Sequence, residues 1–90
     1  MKNTPLKNIE FKLATAHGSK VSVAGTFNDW DPEKNHMNEK HGSGLYKTVI
    51  ALPPGKHEYK FVVNGEWRTD PNCLEHVANC HDSLNSVIHI

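Results

Sequence analysis

Ninety residues carry ten Lys or Arg against ten Asp or Glu, so the formal net charge is zero, with seven histidines in addition. That length supports one modest core and leaves little room for a deep catalytic cleft. The balanced charge and the absence of a basic block remove any electrostatic argument for nucleic acid or an anionic membrane as partner.

No apolar run approaches the roughly 18–20 residues that a membrane-spanning helix needs. The start, Met1 to Pro5, lacks the apolar segment of a secretory leader. The expectation is one domain over residues 1–90 in the cytoplasm.

Lys7 to Ala16 alternates, with Ile9, Phe11 and Leu13 on one side and Glu10 and Lys12 on the other. That period of two predicts a half-buried strand. His17-Gly18-Ser19 turns the chain into a second strand, with Val21 and Val23 inward, ending at Ala24-Gly25. Thr26 to Pro32 is polar and turn-rich but carries two aromatics, Phe27 and Trp30, and Asp31 before Pro32 is barred from helix. Glu33 to Lys40 has a single apolar anchor, Met37, and predicts a short edge strand, followed by the flexible turn His41-Gly42-Ser43-Gly44. Leu45 to Leu52 predicts a further strand with Tyr46, Thr48, Ile50 and Leu52 on one face.

The stretch from Leu52 to Pro71 holds two turns and a central strand between them. Pro53-Pro54-Gly55 supplies a fixed φ followed by a residue free to adopt φ > 0. Asn64-Gly65 between Val63 and Glu66 is the strongest short-range signal for a tight type I′ hairpin. Between the turns, His57, Tyr59, Phe61 and Val63 share one face, mostly apolar and predicted to be core, while Glu58, Lys60 and Val62 share the other. Lys60 therefore projects outward near the arm that carries Trp67. A large aromatic beside a cation on a rigid hairpin predicts a binding surface.

Asp70 to Asp82 reads as a long irregular loop with Pro71, Cys73, His76, Cys80 and His81, and Ser86 to Ile90 as the final strand. The spacing of the two cysteines and two histidines matches no common zinc signature, so no metal is assigned and both thiols are expected to be reduced. No window has helical periodicity. Six to eight short strands at roughly ten-residue spacing predict an all-β, antiparallel β-sandwich of immunoglobulin-like, early-set type.

Four segments together resemble a known family: Val23-Ala24-Gly25-Thr26-Phe27-Asn28-Asp29-Trp30; Leu52 to Phe61; Asn64-Gly65-Glu66-Trp67 with Asp70-Pro71; and Asn85-Ser86-Val87-Ile88. In this order they resemble the family-48 carbohydrate-binding module. That family includes the N-terminal domains of isoamylases and glycogen branching enzymes, the glycogen-binding domain of AMP-activated protein kinase beta subunits, and free-standing bacterial-type members. The resemblance runs from about Val21 to Ile90. It implies a sandwich that holds an α-1,4-glucan (glycogen, starch or a maltooligosaccharide) on exposed tryptophans, with Trp30, Lys60, Trp67 and Asn85 as the matching site residues. A glucan-active enzyme or a kinase is the implied protein partner. In the kinase members a leucine in the loop before the last strand enters the ring of a curved glucan; here Cys80 or His81 stands near that place.

The physical roles are consistent with those residue types. A pyranose has an apolar C–H face that packs on an indole, and its hydroxyls need directional partners. The Lys60 ammonium can donate to sugar oxygens, and the Asn85 amide can donate and accept. The plainer alternatives are packing for Trp67 and Trp30, a solvated strand lysine for Lys60 and a backbone cap for Asn85. A sandwich of this kind that binds protein instead, through a sheet edge or the 70–82 loop, is the competing reading. The discriminator is whether both tryptophans lie exposed on one face, and burial of either would favour protein docking. No cofactor is implied and no catalytic residue is assigned. Asp29 and Asp31 flank Trp30, but one short loop gives them neither the burial nor the separation that glycoside hydrolysis requires.

Overall fold

One strand, Lys56–Val63, carries the pairing that organises the molecule. The computed structural model describes residues 5–73, 75–79 and 83–90, and none of these is helical. Its strands are β1 (Lys7–Ala14), β2 (Val21–Gly25), β3 (Asn38–Glu39), β4 (Leu45–Leu52), β5 (Lys56–Val63), β6 (Glu66–Arg68), β7 (His76–Ala78) and β8 (Leu84–His89). They form two antiparallel sheets, one in the order β1-β4-β3 and one in the order β2-β5-β8-β7, with β6 also on β5. Along one edge β5 pairs with β2 from Tyr59 to Val63; its other edge is divided between β8, opposite Lys56 to Tyr59, and β6, opposite Phe61 to Val63.

The alternation along β5 behaves as its residue pattern dictates. His57, Tyr59, Phe61 and Val63 are buried, and the last three join Phe11, Leu13, Val21, Val23, Met37, Tyr46 and Leu52 between the sheets. His57 sits at the margin, its Nε2 donating to the Pro53 carbonyl at 2.8 Å. The aromatic rings pack edge to face, Phe11 on Tyr59 with centroids 5.0 Å apart and Tyr59 on Phe61 at 5.8 Å. Such pairs add about 0.5–1.5 kcal/mol each beyond the apolar area they bury. On the outer face Glu58 and Lys60 are half-buried. Val62 is buried there as well, because Trp67 stands opposite it across the hairpin.

Asn64 and Gly65 both have positive φ, 51° and 83°, the pair of values a type I′ turn needs. The segment around Met37 links the sheets. Val23 donates to the Asn35 carbonyl and Met37 to the Val21 carbonyl along the free edge of β2; the next two residues are β3 on β4. Met37, 6 % exposed, fills the corner between them.

The 70–82 segment differs from expectation. It is not wholly irregular, since β7 pairs with β8 through His76–Ser86, Val77–Asn85 and Ala78–Leu84, and β8 begins at Leu84 rather than Ser86. Three residues with one half-buried apolar side chain, Val77, are too few to show a period of two. Cys80 and His81, part of the cluster weighed for zinc, lie outside the described residues. The Cys73 thiol points at the backbone, its Sγ 3.2 Å from both the Glu75 and the Val87 carbonyl oxygens.

Two polar knots tie the ends of the sandwich. Tyr59 donates its hydroxyl to Asp70 Oδ2 at 2.7 Å, and the Asp70 amide donates to Ser86 Oγ at 2.8 Å, all three residues being buried. Burial, together with the adjacent Asp70 carboxylate, pushes the Tyr59 phenol far above its ordinary range, so it remains a donor. At the other end Glu39 accepts from His17 Nδ1 at 2.7 Å, the Gly44 amide at 2.9 Å, the Gly18 amide at 3.2 Å and the Tyr46 hydroxyl at 3.2 Å. The His17 bond is the largest cause of a carboxyl held down at about 2; burial opposes it and the remaining donors reinforce it.

A depressed native pKa means that the ionised form of Glu39 stabilises the fold. That contribution is complete above the ordinary value of 4.5 and is lost as pH falls toward 2. Glu39→Gln is therefore expected to lower the urea midpoint at neutral pH, and to lose less stability than the parent across the window from pH 4.5 to about 2. Parallel curves for the two proteins through that window would remove Glu39 as the group responsible.

Candidate functional site

The loop after β2 is shaped by Gly25. A Cβ at this position would lie 2.4 Å from the Glu58 carbonyl oxygen and 2.9 Å from Tyr59 Cβ, so only glycine allows β2 to leave the sheet this close to β5. The Gly25 carbonyl then accepts from the amides of both Asn28 and Trp30, at 3.1 and 3.0 Å. Asn28 is buried and fully engaged. Its Oδ1 accepts from the Gly25 amide at 2.9 Å, and its Nδ2 donates to the Val23 carbonyl at 3.0 Å and to Asn35 Oδ1 at 2.7 Å.

The loop so held takes an uncommon path. Asp29 and Trp30 both lie in the left-handed region, at φ 57° and 58°. Asp tolerates this conformation, but for a residue as bulky as Trp it is strained, at a cost of order 1–3 kcal/mol. The surrounding bonds sustain it, and the result is an indole turned to the outer face of the five-stranded sheet.

There a groove of about 660 Å³ opens, lined by Thr26, Trp30, Glu58, Lys60, Trp67, Asn79, Ser83 and Asn85. All four residues singled out from the sequence line this one groove. Trp67, on β6, is 44 % exposed, and Trp30 is half-buried. Lys60 rises from the floor between them and donates from Nζ to Ser83 Oγ.

Asn85 is more deeply set than an exposed sugar contact would be, at 6 % exposure. Its Oδ1 accepts from Asn79 Nδ2 at 3.0 Å and its Nδ2 donates to Glu58 Oε1 at 3.1 Å. The acceptor side of the amide is thus engaged within the protein. One of its two N–H donors has no protein partner among the described residues.

Four lining residues were missed in the sequence. Glu58 was legible in principle, since it shares the outward face of β5 with Lys60 two positions along. Thr26 follows directly from Gly25, and its amide donates to the Glu58 carbonyl at 3.0 Å. Asn79 comes from the stretch read as irregular and Ser83 from just beyond it; the Asn79 amide donates to the Ser83 carbonyl at 2.9 Å and brings the ends of β7 and β8 together. The place where the kinase members carry a leucine, read here as Cys80 or His81, is outside the described residues.

The chemistry of the groove is two indoles, one cation, one carboxylate and neutral amides and hydroxyls. Such a set offers apolar platforms and both donors and acceptors, and among the described residues that line it Glu58 is the one carboxylate. The family model for the glycogen recognition site of AMP-activated protein kinase matches residues 8–90.

The chain belongs to this glycogen-recognition family.

Glucan binding without catalysis is what its members' module does. Among individual relatives, the 5'-AMP-activated protein kinase subunit beta-1 of Sus scrofa is 36 % identical over 58 residues, 64 % of this chain and 44 % of that protein. The subunit beta-2 of Homo sapiens is 34 % identical over 74 residues, 81 % of this chain and 25 % of that protein. Protein PTST homolog 2, chloroplastic, of Arabidopsis thaliana is 36 % identical over 53 residues, 59 % of this chain and 10 % of that protein. The chain therefore spans less than half the length of each of these relatives.

Because Asn28 fixes the loop that presents Trp30, Asn28→Ala is expected to strand the Gly25 amide and the Val23 carbonyl. Leaving such buried groups unpaired costs about 2 kcal/mol, which lowers the melting temperature by about 10 °C in a domain of this size. A melting curve indistinguishable from that of the parent would show that the loop holds its shape without Asn28.

Proposed function

We propose that this glycogen-recognition domain binds a segment of α-1,4-glucan along the outer face of β5, with Trp30 and Trp67 as platforms and Lys60 and Asn85 as polar contacts. The observation that carries this reading is the convergence of these four residues on one groove from four separate parts of the chain. In it the C–H faces of successive glucosyl units pack on the two indoles, much as bases stack on aromatic platforms. The Lys60 ammonium and the remaining Asn85 N–H donate to hydroxyl or ring oxygens, and Glu58 accepts from hydroxyls.

Burial of either tryptophan would favour the protein-docking alternative; Trp67 is 44 % exposed and Trp30 half-buried, neither is fully buried, and both line one groove, which supports the sugar reading. The described residues that line the groove carry one positive and one negative charge, Lys60 and Glu58, a match to a neutral polymer. A polymer site of this kind also tethers: it keeps whatever protein carries it on the glucan particle. On this reading the partner is a kinase or a glucan-active enzyme, and the compartment is one that stores soluble α-glucan, the cytoplasm by the sequence-based expectation.

The test uses the chain's own two tryptophans as reporters. Titration with maltoheptaose is expected to give a saturable change in tryptophan fluorescence. Trp67→Ala is expected to fold normally and to weaken binding at least about tenfold, a loss of ~1.4 kcal/mol or more. A flat titration of folded parent protein up to ~10 mM, weaker than about −3 kcal/mol, would overturn the glucan reading. Unchanged affinity in a folded Trp67→Ala protein would remove that platform from the site.

A further inference from the structure

A second, smaller pocket of about 180 Å³ lies next to the groove, bounded by Lys20, Ser22, Pro32, Glu33, Val62 and Trp67 among others. Trp67 lines both. The two cavities follow one another along the outward residues of β5, the first over Glu58 and Lys60, the second over Val62. Those outward positions span on the order of 13 Å at ~3.3 Å per residue, more than one pyranose ring covers. Between the two lies Trp67, paired in register with Val62.

The chemistry of the second pocket repeats that of the first in miniature. Val62 and Pro32 supply apolar surface, and Trp67 supplies a second use of the same side chain. Lys20 Nζ and Glu33 Oε1, 3.4 Å apart, place a donor and an acceptor side by side at the rim, with side chains 67 % and 64 % exposed. The second carboxylate oxygen of Glu33 lies 3.2 Å from His36 Nε2, which orients it. Lys20 is clipped to the hairpin turn: its amide donates to Asn64 Oδ1 and its carbonyl accepts from the Asn64 amide, each at 2.8 Å. Its backbone thus moves with the turn that carries Trp67. An exposed ion pair of this kind contributes little to folding, so its groups are available to hydroxyls at small cost.

We propose that this pocket is an additional subsite that receives a further glucosyl unit of the same glucan after it has passed Trp67, with Lys20 and Glu33 bonding its hydroxyls. The inference rests on the glucan reading above, and it makes the domain a reader of chain length. Short oligosaccharides occupy the groove between Trp30 and Trp67, and only longer ones reach the pocket.

The experiment is calorimetric titration of the full chain and of Lys20→Ala/Glu33→Ala with the series from maltotriose to maltoheptaose. Both altered positions are exposed, and far-ultraviolet circular dichroism checks the fold of the variant. The parent is expected to gain affinity with each added glucosyl unit. The variant is expected to match it on the shortest sugar that binds and to fall behind by about fivefold or more on maltoheptaose, the size of one or two lost hydrogen bonds. A variant that matches the parent at every length overturns the subsite, and so does one weakened equally at every length, because the pair would then act through the position of Trp67. A parent that binds none of these sugars fails differently, since that result overturns the glucan reading itself.

Discussion

Everything on the outer face of this domain depends on β5 holding its register. A strand shows its side chains alternately to two sides, so a shift of one residue would exchange the core set His57, Tyr59, Phe61, Val63 for the outer set Glu58, Lys60, Val62. Burying Glu58 and Lys60 unpaired between the sheets would cost far more than any hairpin preference supplies. The register is further pinned from inside by Tyr59, whose hydroxyl reaches Asp70, and from outside by the close approach of Gly25 to the Glu58 carbonyl. Core and site are thus two readings of the same eight residues, and stability of one secures the geometry of the other.

The site is held before any ligand arrives. Trp30 sits on a backbone in the left-handed region, and that conformation persists because Asn28 bonds three groups around it and Gly25 accepts from two amides of the loop. Trp67 stands on a three-residue strand, directly across the hairpin from Val62. Ordering flexible side chains on binding typically costs about 0.5–1.5 kcal/mol each. On the proposed function, an indole already fixed by the fold avoids much of that cost.

Polar groups divide between those that hold the sandwich and those that face the groove. Tyr59, Asp70 and Ser86 close a buried chain of bonds in which each partner satisfies another, and Glu39 gathers four donors around one carboxylate. Asn85 belongs to both groups. It bonds Asn79 and Glu58, tying β8 to β5, and it also lines the groove. The Glu58 carboxylate and Asn79 hold this asparagine in place at the groove.

The amino-acid sequence by itself determined the all-β class, the alternation of β1, β4 and β5, the Asn64–Gly65 hairpin and the identity of the core. These follow from period-two patterning and turn stereochemistry, which act over a few neighbouring residues. Four motif segments also singled out Trp30, Lys60, Trp67 and Asn85, through a family resemblance, and the fold brings these four to one groove. The short strand β7, the burial of Asn85, the part of Glu58 and Ser83 in the groove, and the pocket beyond Trp67 were decided only by the tertiary structure. Each depends on contacts between residues far apart along the chain: Val77 with Asn85, Glu58 with Asn85, Lys60 with Ser83, Lys20 with Asn64. No local pattern encodes such pairs, because the sequence states which faces a strand has but not which loop will cover them.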